Sequence, residues 1–215
     1  STQGLADVQD KSYGWITGSQ VSFCAEAFPS VDSRHDDAPA LTILGAVLRN
    51  GYLHSAIREK GGAYGSGASQ DSHNKVFKFF SYRDPRCSET FEEFENSRKW
   101  SLEGITSEQL DEGILGVISS IDKPLSPYGE AVSDFMNELD KKSQEDRLLF
   151  RSRVKDCTLE DLAKSDTLGD LLHDRFFTQR SDRYVLPLKA LSTGLNVGIV
   201  PRVSVSAQHA VVDTH

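Results

Sequence analysis

The sequence predicts an α+β fold, an antiparallel-type sheet with helices packed on one face. Three observations predict it. Segments that read as strands occur at 13–28, 63–70 and 75–82. A long segment with helical apolar spacing separates the first of these from the other two. From residue 88 to about residue 164, helical patterns follow one another with no strand between them.

Residues 13–28 read as one strand because Ile16, Val21, Phe23, Ala25 and Ala27 include a run of alternating positions, which Pro29 stops. Residues 29–37 are polar and turn-like. Asp37 is a reasonable N-cap, and Pro39 is tolerated in a first helical turn. The helix that follows carries Leu41, Leu44, Val47 or Leu48, Leu53 and Ile57 inward. Gly45 and Gly51 weaken it locally, which points to close packing or a bend. Asp71-Ser72-His73-Asn74 links the next two strands as a hairpin, and Val76-Phe77-Lys78-Phe79-Phe80 has strong strand propensity.

Asp84-Pro85 ends that strand. A helix over 88–103 takes Ser88 as N-cap, sets Phe91, Phe94 and Leu102 on its apolar side, and closes at Gly104. Thr106 and Gln109 fit a capping box for a helix with Leu110, Ile114, Leu115, Val117 and Ile118 as its apolar face. Asp122 to Pro127 form a rigid loop, and helices over 129–140, 144–156 and 158–164 follow, the last capped by Thr158 with Asp161. The expected organisation is one domain over 1–164 and an atypical tail over 165–215. The tail has short apolar pieces, Leu186-Pro187-Leu188, Val197-Gly198-Ile199-Val200 and Val203-Ser204-Val205, separated by Gly and Pro. They read equally as strands or as an extension without a core.

Composition narrows the function classes. A chain of 215 residues buries a sizeable core, and a hydrophobic fraction of 38% is compatible with a globular fold. A net charge of -8 argues against a nucleic-acid surface. Lys and Arg are scattered, so no polybasic membrane tether is visible, and no apolar run approaches the roughly 18 residues of a membrane span. Cys24, Cys87 and Cys157 form no C-x-x-C pair, which fits free thiols in a soluble, reducing compartment such as a bacterial cytoplasm or an organelle matrix. The chain opens Ser1-Thr2-Gln3-Gly4 without an initiator Met and reads as a piece of a longer protein.

Most reaction motifs are missing. His35, His54, His73, His173, His209 and His215 include no H-x-x-E-H spacing, so no metal site is expected in this chain. There is no G-x-S-x-G, phosphate loop or dinucleotide glycine fingerprint. Cys24 sits in an apolar strand and reads as a buried, inert thiol. Glu92-Glu93 and Asp111-Glu112 read as solvated helix faces.

The informative stretch is Arg58-Glu59-Lys60-Gly61-Gly62-Ala63-Tyr64, a basic helix end, a glycine break and a strand start. A guanidinium and a phenol flanking a rigid turn suit a carbonyl or a developing oxyanion. From spacing alone, an ordinary helix–strand joint with a surface arginine and a half-buried tyrosine accounts for the same residues.

The wider sequence resembles the C-terminal half of insulinase/pitrilysin-type zinc metallopeptidases, specifically the presequence-protease branch. Besides the stretch from Tyr52 to Gly67, the blocks at Val21–Pro29, Asp37–Leu41, Ser81–Arg86 and Ile121–Pro127 are similar and in the right order. The resemblance covers about Val21 to Leu162 and implies a processing-peptidase/insulinase-like domain. It implies that zinc and its general base belong to an N-terminal half of the same polypeptide, which closes with this domain around short unstructured peptides. It implies that Arg58 clamps the substrate backbone and that Tyr64 stabilises the transition state. Related folds also serve as catalytically silent structural or interaction subunits, which is the alternative reading.

Overall fold

The computed structural model describes residues 14–17, 19–164, 196–198 and 200–202. Three antiparallel strands make the body of the sheet: β2 (Ser22–Pro29), β3 (Gly65–Asp71) and β4 (Val76–Asp84), in the order β3-β4-β2. The expected first strand is split. Trp15–Thr17 forms β1, and Ser19 makes a local turn before β2, its Oγ accepting from Val21 N at 3.2 Å. Two short pieces of the tail are strands. β5 (Asn196–Gly198) pairs antiparallel with β1, and β6 (Val200–Arg202) pairs parallel with Cys24–Glu26 of β2. Leu186-Pro187-Leu188 and Val203-Ser204-Val205 lie outside the described residues.

The helical side of the sheet holds the core. β2 buries Ser22, Cys24, Glu26 and Phe28, whereas Phe23 and Ala27 are exposed. This is the face opposite to the expected one. Pairing decides it: Phe28 lies opposite Phe77 and Cys24 opposite Ser81, so the buried residues of β2 share a face with Phe77, Phe79 and Ser81 of β4. A slip of one residue would exchange the faces, and Phe28 packed edge-on against Phe79 at 6.0 Å outweighs the regular but smaller alternation of Ala25 and Ala27.

Helix α1 (Ala38–Leu48) lies on that face and runs directly into a π-helical segment, Arg49–Glu59. Leu41, Leu44, Leu48, Leu53 and Ile57 are fully buried. Close packing explains both glycines: a Cβ on Gly45 would stand 3.0 Å from Ser69 Cα, and one on Gly51 would stand 2.6 Å from the Trp100 ring. Asp37 does not cap with its side chain. Its carbonyl accepts from Leu41 N at 2.9 Å, and its own N–H donates to His35 Nδ1 at 3.1 Å, a local turn in place of the cap.

Helices α2 (Ser88–Glu103), α3 (Ser107–Ile121), α4 (Pro127–Leu139), α5 (Gln144–Lys155) and α6 (Leu159–Lys164) follow. Phe94 of α2 lies 5.5 Å from Phe79, while Leu102 is exposed because it falls at the edge of the buried stripe formed by Thr90, Phe94, Ser97 and Ser101. Cys87, not Ser88, precedes the first turn of α2. The Thr106–Gln109 capping box forms as expected, Ser143–Asp146 forms a second, and Thr158 and Asp161 bond reciprocally. In α3, Leu110 and Val117 are buried but Leu115 points to solvent. Helix α4 buries none of its residues and leaves Tyr128 80% and Phe135 60% exposed.

At the β3–β4 hairpin, Asp71 accepts from Asn74 N at 3.0 Å, Asn74 Nδ2 at 3.1 Å and Lys78 Nζ at 3.0 Å. Burial pushes its pKa up, but these donors outweigh it and hold the carboxyl at about 2, against 3.8 for a free side chain. A depressed carboxyl stabilises the fold above its unfolded pKa and loses that contribution as pH falls through the folded value. Stability should therefore drop as pH falls from 3.8 through about 2, and Asp71→Asn should flatten that segment of the profile. Urea midpoints measured across this window check it; parallel profiles for the two proteins would refute it.

Candidate functional site

The Gly61-Gly62 joint is tightly built. Gly62 N donates to Arg58 O at 3.0 Å and Ala63 N to Ile57 O at 3.1 Å, the paired bonds of a glycine-terminated helix. Gly62 has φ 81°, where an L side chain is strained. A Cβ on Gly61 would fall 1.7 Å from Arg86 Nη2 and 2.4 Å from Ile57 O. Arg86 Nη2 donates to Ala56 O at 3.2 Å, which locks the helix end against the β4–α2 corner.

That corner turns on Asp84, which is fully buried. Its carboxylate accepts from Arg86 N at 2.9 Å and from Thr90 Oγ1 at 2.7 Å. Its neighbour Arg83 has φ 51° and accepts from Tyr64 N at 3.3 Å through its carbonyl. The Tyr64 ring lies 5.4 Å from that of Tyr82 and 5.5 Å from the Arg83 guanidinium, and a Cβ on Gly65 would strike the Tyr82 ring at 2.2 Å.

Arg58 and Tyr64 open onto one shallow groove of about 450 Å³, lined also by Val21, Gly62, Ala63 and Arg83. Tyr64 is 63% exposed, so the half-buried tyrosine of the ordinary joint is not what the fold builds. Arg58 Nη1 lies 3.3 Å from His54 Nε2, and His54 Nδ1 lies 3.5 Å from Glu59 Oε1. An exposed guanidinium and an exposed phenol on one concave surface can donate together to a single peptide backbone. Sequence reasoning singled out Arg58 and Tyr64 but not Arg83, which was legible only as part of a similar block and whose place depends on its backbone conformation.

Other candidates have structural partners. The Cys24 S–H is hydrogen-bonded to Cys87, and together with burial this pushes the Cys24 thiol far up, holding it protonated. Glu93 is not simply solvated: it accepts from Tyr52 OH at 2.8 Å, and burial with this carboxylate pushes the Tyr52 phenol up to about 12. His73 Nδ1 meets Asp140 at 2.6 Å. Among the described residues no group of three or more His, Cys, Asp or Glu side chains is placed to hold a metal ion, and His173, His209 and His215 lie outside them. The residues of this groove offer no zinc donor set.

A family model for the PreP C-terminal domain matches residues 16–178. The chain belongs to this family. It is 37% identical over 151 residues to the mitochondrial presequence protease of Drosophila melanogaster, covering 69% of this chain and 14% of that protein. It is 33% identical over 184 residues to the mitochondrial presequence protease of Saccharomyces cerevisiae, covering 84% of this chain and 17% of that protein. The chain thus spans under a fifth of these relatives. Among solved structures it is similar to a candidate zinc protease from Bordetella pertussis Tohama I, with TM-score 0.56 at 13% identity over 71% of this chain and 89% of that one. It is also similar to pitrilysin, with TM-score 0.50 at 15% identity over 75% of this chain and 19% of that one. These likenesses agree with the α+β fold and with the presequence-protease branch of the zinc metallopeptidases. Among the described residues no helix is long and apolar enough to cross a membrane.

The groove depends on Gly62. Gly62→Ala should cost about 1–2 kcal/mol through its left-handed backbone. Gly116→Ala on α3, where a Cβ meets nothing within 4 Å, should instead stabilise by about 0.5–1 kcal/mol. Urea unfolding of both variants is the measurement; equal effects would mean that the joint is not under conformational constraint.

Proposed function

We propose that this chain is the non-catalytic closing domain of a zinc-dependent oligopeptidase that degrades short unstructured peptides. The observation that carries the reading is that Arg58 and Tyr64 line the same open groove, with Tyr64 exposed. On this reading zinc and the general base belong to an N-terminal half of the same polypeptide. Arg58 donates its fork of N–H groups to substrate carbonyls, and the Tyr64 hydroxyl donates to the scissile carbonyl oxygen as it gains negative charge. Tyr64 is then the transition-state residue of this domain and Arg58 its substrate-binding residue. The mitochondrial relatives favour an organelle matrix over a bacterial cytoplasm.

The apolar side chains that α4 and α5 leave exposed, Tyr128, Val132, Phe135, Leu139, Leu148 and Leu149, give the other half a surface to cover. The same patch would serve a catalytically silent interaction subunit. The clamp separates the two readings, because a purely structural module does not need an exposed phenol and an exposed guanidinium on one groove.

In the full-length polypeptide, Tyr64→Phe should lower kcat by about 10²–10³ with little change in KM, since the phenol meets charge present only in the transition state. Arg58→Ala should lower kcat and also raise KM. Zinc content should stay that of the unaltered enzyme in both. Steady-state kinetics on a short peptide decide it, and unaltered turnover by both variants would leave the interaction-subunit reading in place.

A further inference from the structure

We propose that Arg83, together with Arg58, forms a carboxylate-binding subsite beside the clamp, so that the enzyme favours peptides carrying a carboxylate next to the bond held at Tyr64. The carboxylate is that of an acidic side chain or of a free peptide C-terminus. The inference rests on the peptidase reading above and names a substrate class for the same groove.

Charge pairing is the first observation. Arg34, Arg86, Arg98, Arg147, Arg151 and Arg153 each meet a carboxylate within 4.0 Å. Arg49, Arg58 and Arg83 have no carboxylate partner among the described residues, although the chain carries 32 Asp and Glu against 24 Lys and Arg, and of these three Arg58 and Arg83 line the groove. Among the described residues no acidic side chain lines the groove. The two nearest acids in sequence are engaged elsewhere, Glu59 with His54 and Asp84 with Thr90 and Arg86. Two guanidiniums on one concave surface without a counter-ion make a positive site in an otherwise acidic chain.

Backbone geometry is the second observation, and it is independent of the first. β4 alternates regularly until Tyr82, after which Tyr82 and Arg83 are both exposed and Asp84 is buried. The break in alternation is the left-handed residue Arg83 at φ 51°. Such a conformation is unfavourable for an L-residue and persists where the surroundings hold it. Here the anchored Asp84 and the bond from Tyr64 N hold it. The result is a guanidinium set over the Tyr64 ring at 5.5 Å, at the wall of the groove. A planar guanidinium is suited to bidentate contact with a carboxylate, and Arg58, which lines the same groove, adds a second donor set.

The test uses the full-length enzyme and one short peptide in four forms: Glu or Gln beside the scissile bond, each with a free or an amidated C-terminus. A carboxylate bonded to arginine in an open groove should lower KM about tenfold against its neutral counterpart, and less at high salt. The Glu/Gln pair and the acid/amide pair identify which source is read. Arg83→Gly is the chosen variant, because glycine adopts φ 51° without strain and removes only the side chain. It should cut the roughly tenfold KM ratio to about threefold or less, the remainder being the share of Arg58, and Arg83→Lys should keep more of the preference. An enzyme indifferent to both carboxylates, or an Arg83→Gly variant that keeps the full preference, overturns the proposal. Failure of the clamp reading is seen separately, in the turnover of Tyr64→Phe on the neutral amidated peptide.

Discussion

The buried carboxylate of Asp84 is the constraint on which the groove depends. A charge removed from water must find donors, and Asp84 finds them in the Arg86 backbone and the Thr90 hydroxyl. Those two bonds fix the corner between β4 and α2. Arg86 then reaches back to Ala56 O and fills the space that a side chain on Gly61 would need. Arg83, one residue before the anchor, takes the left-handed conformation and holds Tyr64 N. The placement of Tyr64 therefore follows from a side chain that it does not touch.

The helix before the joint serves the same end from the other side. Leu53 and Ile57 keep the π-helical segment seated on the core, while His54 and Arg58 face solvent. Gly45 and Gly51 let that helix approach Ser69 of β3 and Trp100 of α2 closely. Glycine costs helix stability in isolation, and here close contact with strand and ring offsets it. The groove is thus carried by elements with rigid backing, which suits residues that must meet a substrate without rearranging.

Packing is unevenly distributed. Phe77, Phe79 and Phe94 are fully buried, whereas α4 buries nothing. The helices after Ile121 reach the core through few residues, Val154 of α5 and Leu162 of α6, and carry caps and ion pairs such as Ser143 with Asp146 and Arg151 with Asp122. The apolar side chains that α4 and α5 leave exposed are the part of the surface that the described residues of this chain do not cover.

The pair Arg58 and Tyr64 stands out in the sequence through its resemblance to the family, since spacing alone allows an ordinary helix–strand joint. The sequence by itself determined the order and type of the main elements and the helix caps at Thr106 and Thr158. These are local matters: apolar period, short side chains three positions from a partner, and glycine after a basic helix end. Tertiary structure decided what depends on neighbours distant in sequence. The buried face of β2 was set by the pairing of Phe28 with Phe77, which alternation within β2 alone does not specify. The exposure of Leu102 and Leu115 was set by which stripe of each helix meets its neighbours: Thr90, Phe94, Ser97 and Ser101 in α2, and Leu110, Gly113 and Val117 in α3. Arg83 entered the groove through a backbone conformation that L-residues seldom adopt, stabilised by a buried acid and by a strand start nineteen residues earlier, at Tyr64. Such a placement comes from long-range satisfaction of buried polar groups, which no local pattern of residues encodes.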